Sequence, residues 1–211
     1  MVVQPQDAAD MLENIKHVAS RKFAQINILP DGYADWKPEN LKEFAVSMEK
    51  LRDYYIDLVT MNGNTHFTIG QIHHILDEKR QYVWKNCSKR ILSVDGKYYS
   101  CDRAMSLPPQ MRSVYASGDP YSGYDAGHSC ASLEAIREEV RIEGRDRCKT
   151  CQWASKCLCY LGHLVGSVDV SLRSRRWNNA CQISMDMLSN LTEITQTLKP
   201  NAKFREMYSL P

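Results

Sequence analysis

The chain has 211 residues, 43% of them hydrophobic and 25% charged, with a formal net charge of +2. That composition suits one large domain or two small ones and excludes wholesale disorder. Near-balanced charge argues against a nucleic-acid partner, and no stretch approaches the ~18 consecutive apolar residues that span a bilayer. The N-terminal "MVVQPQDAADMLENIKHV" has no basic region followed by a long apolar run. A cytoplasmic location with no membrane partner is therefore the expectation. The basic run "SLRSRRW" at 171–177 reads as a solvated loop face.

In chain order, Val2–Val3 supplies a first short strand. Residues 7–21 put Ala8, Met11, Leu12, Ile15, Val18 and Ala19 on one helical face, with Asp7 near the start. "FAQINILP", 23–30, is a short apolar run closed by "PDG" and reads as one buried strand. A helix over about 38–61 has Pro38 in its first turn and an apolar stripe of Leu41, Phe44, Met48, Leu51, Tyr55 and Leu58. Strand, helix, strand, helix predicts a piece of a parallel α/β sheet. The piece is incomplete, because two strands cannot cover both faces of themselves.

"RILSVDGKYYSC", 90–101, predicts a β-hairpin turning at Asp95–Gly96 as a two-residue loop, with Cys87 and Cys101 near its open end. Residues 106–128 are rich in proline and glycine and read as loop; within them "GDPYSGYDAG", 118–127, is a surface loop. A helix over 132–143 turns Leu133, Ile136 and Val140 inward. A last helix over about 180–198 aligns Ile183, Met187, Leu191, Ile194 and Leu198.

All eight cysteines lie between Cys87 and Cys181. That asymmetry sets a boundary within 78–86 and divides the chain into domains 1–80 and 81–211. After Cys87, Cys101 and Cys130 comes the run Cys148-x2-Cys151-x5-Cys157-x-Cys159, and then the distant Cys181. In a reducing compartment, clustered thiols are metal ligands or redox groups before they are disulfides. A thioredoxin-like pair would need no six companions. Four thiolates satisfy tetrahedral zinc and cubane iron alike, so spacing alone leaves both open. His163 is a possible fourth zinc ligand with Cys148, Cys151 and Cys157. His128, His73 and His74 read as structural or solvent-facing, and Asp102 has no assignable role as a base. No phosphate loop, GxGxxG, Ser–His–Asp set or catalytic carboxylate pair is present.

Cys87, Gly96-x4-Cys101, Cys-x2-Cys-x5-Cys and the distant Cys181 together resemble the SPASM domain. This domain is the C-terminal extension of radical S-adenosylmethionine enzymes that modify peptides and proteins, including the anaerobic sulfatase-maturating enzymes. "INILPDGYADW" and the elements before it look like the last strands and helices of that family's partial TIM barrel. The fold implied is thus an α/β fragment, the last βα units of a partial TIM barrel. An α+β cysteine-rich, SPASM-like domain with a hairpin and helices follows it.

The resemblance implies one auxiliary 4Fe–4S cluster held by Cys148, Cys151, Cys157 and Cys181. It implies a second held by Cys87 and Cys101 with Cys159. The family places a cysteine at the position of Leu161, and Cys159, two residues earlier, is its candidate replacement. Cys130 either fills a vacancy at the second cluster or is a buried thiol. The implied role is electron transfer or anchoring of a peptide or protein substrate. No cysteine precedes Cys87, so the cysteine triad that holds the cluster cleaving S-adenosylmethionine is expected only in a longer parent enzyme. The alternative is a zinc-binding structural or interaction module without redox function.

Overall fold

The computed structural model describes residues 1–32, 34–61, 66–77, 90–99, 112–113, 116–125, 151–153 and 170–210. The described residues fall into two compact units. Those in Met1–Gln81 and Asn178–Pro211 form the first, and those in Tyr82–Ser155 and Cys159–Trp177 the second. The C-terminal residues thus pack with the N-terminal ones, whereas the cysteine distribution groups them with the cysteine-rich part.

In the first unit, β1 (Val2–Val3) runs parallel to β3 (Leu29–Pro30), with Val2 opposite Leu29 and Val3 opposite Pro30. β2 (Gln25–Ile26) runs parallel to β4 (Thr68–Ile69), with Gln25 opposite Thr68 and Ile26 opposite Ile69. The single strand expected over 23–30 is therefore two short ladders on one extended run. The first half pairs with β4 and the second half with β1. The parallel pairing matches the element order, and the described residues form small sheets without a closed barrel.

The ladder passes from one neighbour to the other at Ile28. There β4 has already given way to a short helix over Gly70–Leu76, and β4 offers no further strand residue to pair with. The Gln71 side chain takes over: its Oε1 accepts from the Ile28 N–H at 3.3 Å and its Nε2 donates to the Ile28 carbonyl at 2.6 Å. Strand alternation then sorts the two faces. Val3, Ile26, Ile28, Pro30 and Ile69 are buried, while Val2, Gln25, Asn27 and Leu29 are exposed.

The buried face is covered by helical stripes. α1 (Met11–Ser20) begins later than its periodicity suggests, because Pro5–Asp7 forms a 3-10 turn ahead of it. Ala8, Met11, Ile15 and Ala19 are buried, and Leu12 and Val18 flank them half-buried. α2 spans Pro38–Met61, as its first-turn proline predicts. Its buried stripe is Phe44, Met48, Leu51, Tyr55 and Val59, the last in place of Leu58, which is half-buried. Each such apolar side chain contributes about 1.5–3 kcal/mol on burial. The helix Gly70–Leu76 is α3.

α4 (Val170–Leu198) starts well before the expected position 180. No proline or glycine interrupts residues 170–179, so nothing stops the helix there. The basic run 171–177 consequently lies on a helix backbone and not in a loop. Ile183, Met187, Leu191, Ile194 and Leu198 are buried as their spacing predicts. Arg52 of α2 reaches Asn190 at 3.4 Å and Glu193 at 3.0 Å, tying α2 to α4. Buried Trp36 donates to the Asp31 carbonyl at 2.7 Å, packs edge-on against Phe44 at 5.6 Å, and accepts from Asn179 through its own carbonyl. α5 (Ala202–Met207) is capped by Asn201, whose Oδ1 accepts from the Phe204 N–H at 3.1 Å. Among the described residues no helix is long and apolar enough to cross a membrane.

In the second unit the predicted hairpin is present as β5 (Ile91–Leu92) antiparallel to β6 (Tyr98–Tyr99). Its loop differs from expectation. Ser93 N–H donates to the Lys97 carbonyl, and Gly96 N–H to the Ser93 carbonyl, each at 2.9 Å, so three residues form the loop. Only Gly96 takes a positive φ, 75°. A two-residue Asp95–Gly96 turn would require positive φ at Asp95 as well, and the three-residue form avoids that. Asp95 fastens the hairpin: it accepts from Lys97 N–H at 3.1 Å and from the Tyr99 hydroxyl at 2.8 Å.

Part of the segment expected to be loop is also a hairpin, β7 (Gly118–Asp119) with β8 (Gly123–Tyr124). It turns on Asp119, whose Oδ1 accepts from the Tyr121 and Ser122 N–H groups at 2.8 Å each. Gly118 has φ 111° and lies so close to the Gly123 carbonyl that no Cβ fits. The helix expected over 132–143 lies outside the described residues.

Candidate functional site

Two of the eight cysteines are among the described residues. Cys151 opens a turn, half-buried, with a free thiol. Cys181 sits on α4, half-buried beside the core residues Ala180 and Ile183, with its Sγ 4.0 Å from the Met185 sulfur one turn on. They belong to different units. Cys87, Cys101, Cys130, Cys148, Cys157 and Cys159 lie outside the described residues, as do Asp102, His128 and His163. Among the described residues no three His, Cys, Asp or Glu side chains gather to hold a metal.

The frame around the cysteine positions is partly described. The hairpin places Ile91 opposite Tyr99, so the chain segments leading back to Cys87 and on to Cys101 depart from adjacent strand ends. Tyr98 meets Tyr124 edge-on at 6.1 Å, and Arg90 lies over the Tyr124 ring at 5.0 Å. Ser117 N–H donates to the Tyr98 carbonyl at 2.7 Å, linking the two hairpins. Burial and then the Asp95 carboxylate push the Tyr99 hydroxyl up to about 12. Asp95 is held below the usual carboxylate range, chiefly by the bond from Tyr99.

Around Cys181, the helix carries Gln182, which donates to Asp186 at 2.9 Å. Burial raises the Asp186 carboxyl, the Gln182 bond opposes that, and Glu49 of α2 adds to it. Cys181 is half-buried, and thiolates as a class select iron–sulfur clusters or zinc, so its side chain is of a type that could serve as one such ligand.

A second polar locality was not legible as a site in the sequence. At the C-terminal ends of β1 and β3 a shallow cavity of about 360 Å³ is lined by Gln4, Gln6, Asp35, Lys37, Glu39 and Asn40, among others. Gln4 Nε2 donates to Asp31 at 2.9 Å beside it. The signal available was the switch from apolar strand to polar residues at Gln4 and Asp31, which is where parallel sheets present ligand-binding groups. Carboxamides, two carboxylates and one ammonium suit a polar ligand; among the described residues no hydroxyl or thiol lines the cavity.

His73 and His74 are half-buried on α3, and the His73 ring packs against Tyr208 at 4.8 Å. That is a structural placement. No protein-family model, curated protein or solved structure matches the chain.

Proposed function

We propose that this chain is the auxiliary 4Fe–4S cluster-binding, SPASM-like portion of a radical S-adenosylmethionine enzyme that modifies a peptide or protein. Its role is to pass electrons or anchor substrate. The joint cysteine spacing carries this reading: Cys87, Gly96-x4-Cys101, Cys148-x2-Cys151-x5-Cys157 and Cys181 in one order. The hairpin around Gly96 and the parallel pairing in the first unit are compatible with it. Cys148, Cys151, Cys157 and Cys181 would hold one cluster, and Cys87, Cys101 and Cys159 would serve the second. A bound cluster supplies one-electron chemistry tuned by burial and hydrogen bonding. Cleavage of S-adenosylmethionine belongs to a longer parent enzyme. The location proposed is cytoplasmic.

Anaerobic purification with metal analysis is the test. Brown protein with a broad shoulder near ~400 nm and several irons per chain supports the proposal. Colourless protein with stoichiometric zinc, retained after iron and sulfide reconstitution, overturns it in favour of a zinc-stabilised module.

A further inference from the structure

Among the described residues no strand pairs with the far side of β4, yet that edge is not left bare. On the inner side Thr68 N–H donates to the Ala24 carbonyl at 2.9 Å. In a parallel ladder the alternate groups then face outward, and these are the Phe67 carbonyl and the Ile69 N–H. Both residues are buried, so neither group has water as a substitute partner. The Ile69 N–H donates to the Tyr208 hydroxyl oxygen at 2.8 Å. The Tyr55 hydroxyl donates to the Phe67 carbonyl at 3.2 Å. The two hydroxyl oxygens are 3.0 Å apart.

With Tyr208 donating to Tyr55, which is closer than its other acceptor, the Ile69 carbonyl at 3.4 Å, each hydroxyl proton has an acceptor and the circuit closes. A residue of a neighbouring parallel strand offers one N–H and one C=O to this same pair of groups. The two tyrosines offer one O–H and one hydroxyl oxygen in their place. We infer that Tyr55 and Tyr208 act together as a surrogate for one residue of an adjoining strand and close the sheet at β4 against further strand addition.

The rings are held for that task. Tyr55 packs edge-on against Phe67 at 5.6 Å, and Tyr208 lies between Phe204 at 4.6 Å and His73 at 4.8 Å. Tyr208 follows α5, so the C-terminal segment is the element that shuts the edge. Natural sheets cover or blunt their edges because a bare edge templates another chain.

Amide hydrogen exchange on the full chain tests this directly. In the unchanged protein the Ile69 amide exchanges within roughly tenfold of the Ile26 amide, a member of the inner ladder. Tyr208→Phe, which keeps the ring, speeds Ile69 exchange by roughly tenfold or more and Ile26 far less. Tyr54→Phe, on the same helix but outside the circuit, changes neither. The double variant Tyr55→Phe with Tyr208→Phe shifts to higher oligomers by light scattering at concentrations where the unchanged chain does not. Loop-like exchange of Ile69 in the unchanged protein overturns the inference even if the variants fail to fold. Unchanged Ile69 exchange in a folded Tyr208→Phe, or unchanged association of a folded double variant, overturns it equally.

Discussion

The Gln71 carboxamide brackets Ile28, accepting from its N–H at 3.3 Å and donating to its carbonyl at 2.6 Å. Both residues are buried, Ile28 completely and Gln71 to 4% exposure. Gln71→Met keeps the bulk and removes both partners. Leaving two buried backbone groups unpaired costs about 3 kcal/mol, to be read as a lower urea midpoint. Gln71→Glu is the sharper variant. Protonated, it can still donate to the Ile28 carbonyl; ionised, it sets a carboxylate against that oxygen. Burial raises its folded value, so its deficit should shrink as pH falls from neutral towards about 4.3, the unfolded glutamate value, and level off below it.

Burial pushes the Tyr208 hydroxyl up to about 12, against the lowering effect of its bond with Tyr55, and pushes Tyr55 beyond the ordinary tyrosine range with the Tyr208 hydroxyl adding to the rise. Raised native values mean the folded chain keeps protons that the unfolded chain loses above pH 10. Stability should be flat with respect to these groups below pH 10 and fall as pH rises from 10 towards 12. For Tyr208 the gap corresponds to about 3 kcal/mol. Thermal midpoints between pH 9 and 12 check this, and the fall should be shallower in Tyr208→Phe.

Gly70 stands where the Asn27 carboxamide folds over β4, held by Gln25 Nε2 at 3.2 Å. A Cβ at position 70 would overlap Asn27 Oδ1 and crowd Gln25 Nε2. Both side chains are exposed and can move, so Gly70→Ala should cost only about 1–2 kcal/mol. Asn27→Ala in the same chain should return most of the loss. A loss that Asn27→Ala leaves untouched would place the strain in the backbone.

On the proposed function, Cys151→Ala should remove about one cluster's iron and lower the melting temperature, because site formation and folding are coupled. Cys181→Ala should lose the same share of iron. Cys130→Ala should lose less if that thiol is only packed. Anaerobic iron counts on the three variants decide the ranking, and equal losses from Cys130 and Cys151 would reverse it.

The long apolar periodicities of α2 and of α4 from Ile183 onward were legible because burial there repeats regularly and leaves little choice of face. Asp95–Gly96 marked the hairpin, though not its three-residue loop, since loop length depends on which neighbours accept positive φ. The split of residues 23–30 between two partners was not legible. It follows from where β4 ends, and Gln71 is polar without looking like part of a strand. The Asp119 hairpin was hidden because its strands are two residues each and contain glycine, so turn chemistry outweighed any alternation. That α4 from Asn178 onward and α5 belong to the first unit had no local signal. Their apolar stripe says that something covers it, not what.

That membership bears on the order in which the molecule is made. Tyr55 meets Tyr208 across 153 positions, and Arg52 meets Glu193 across 141. A ribosome releasing this chain therefore exposes α1, α2 and their strands long before α4 arrives to cover them. The first core can close only once the residues of α4 and α5 that belong to it have emerged. Non-local closure of this kind slows folding and leaves early apolar stripes in need of protection.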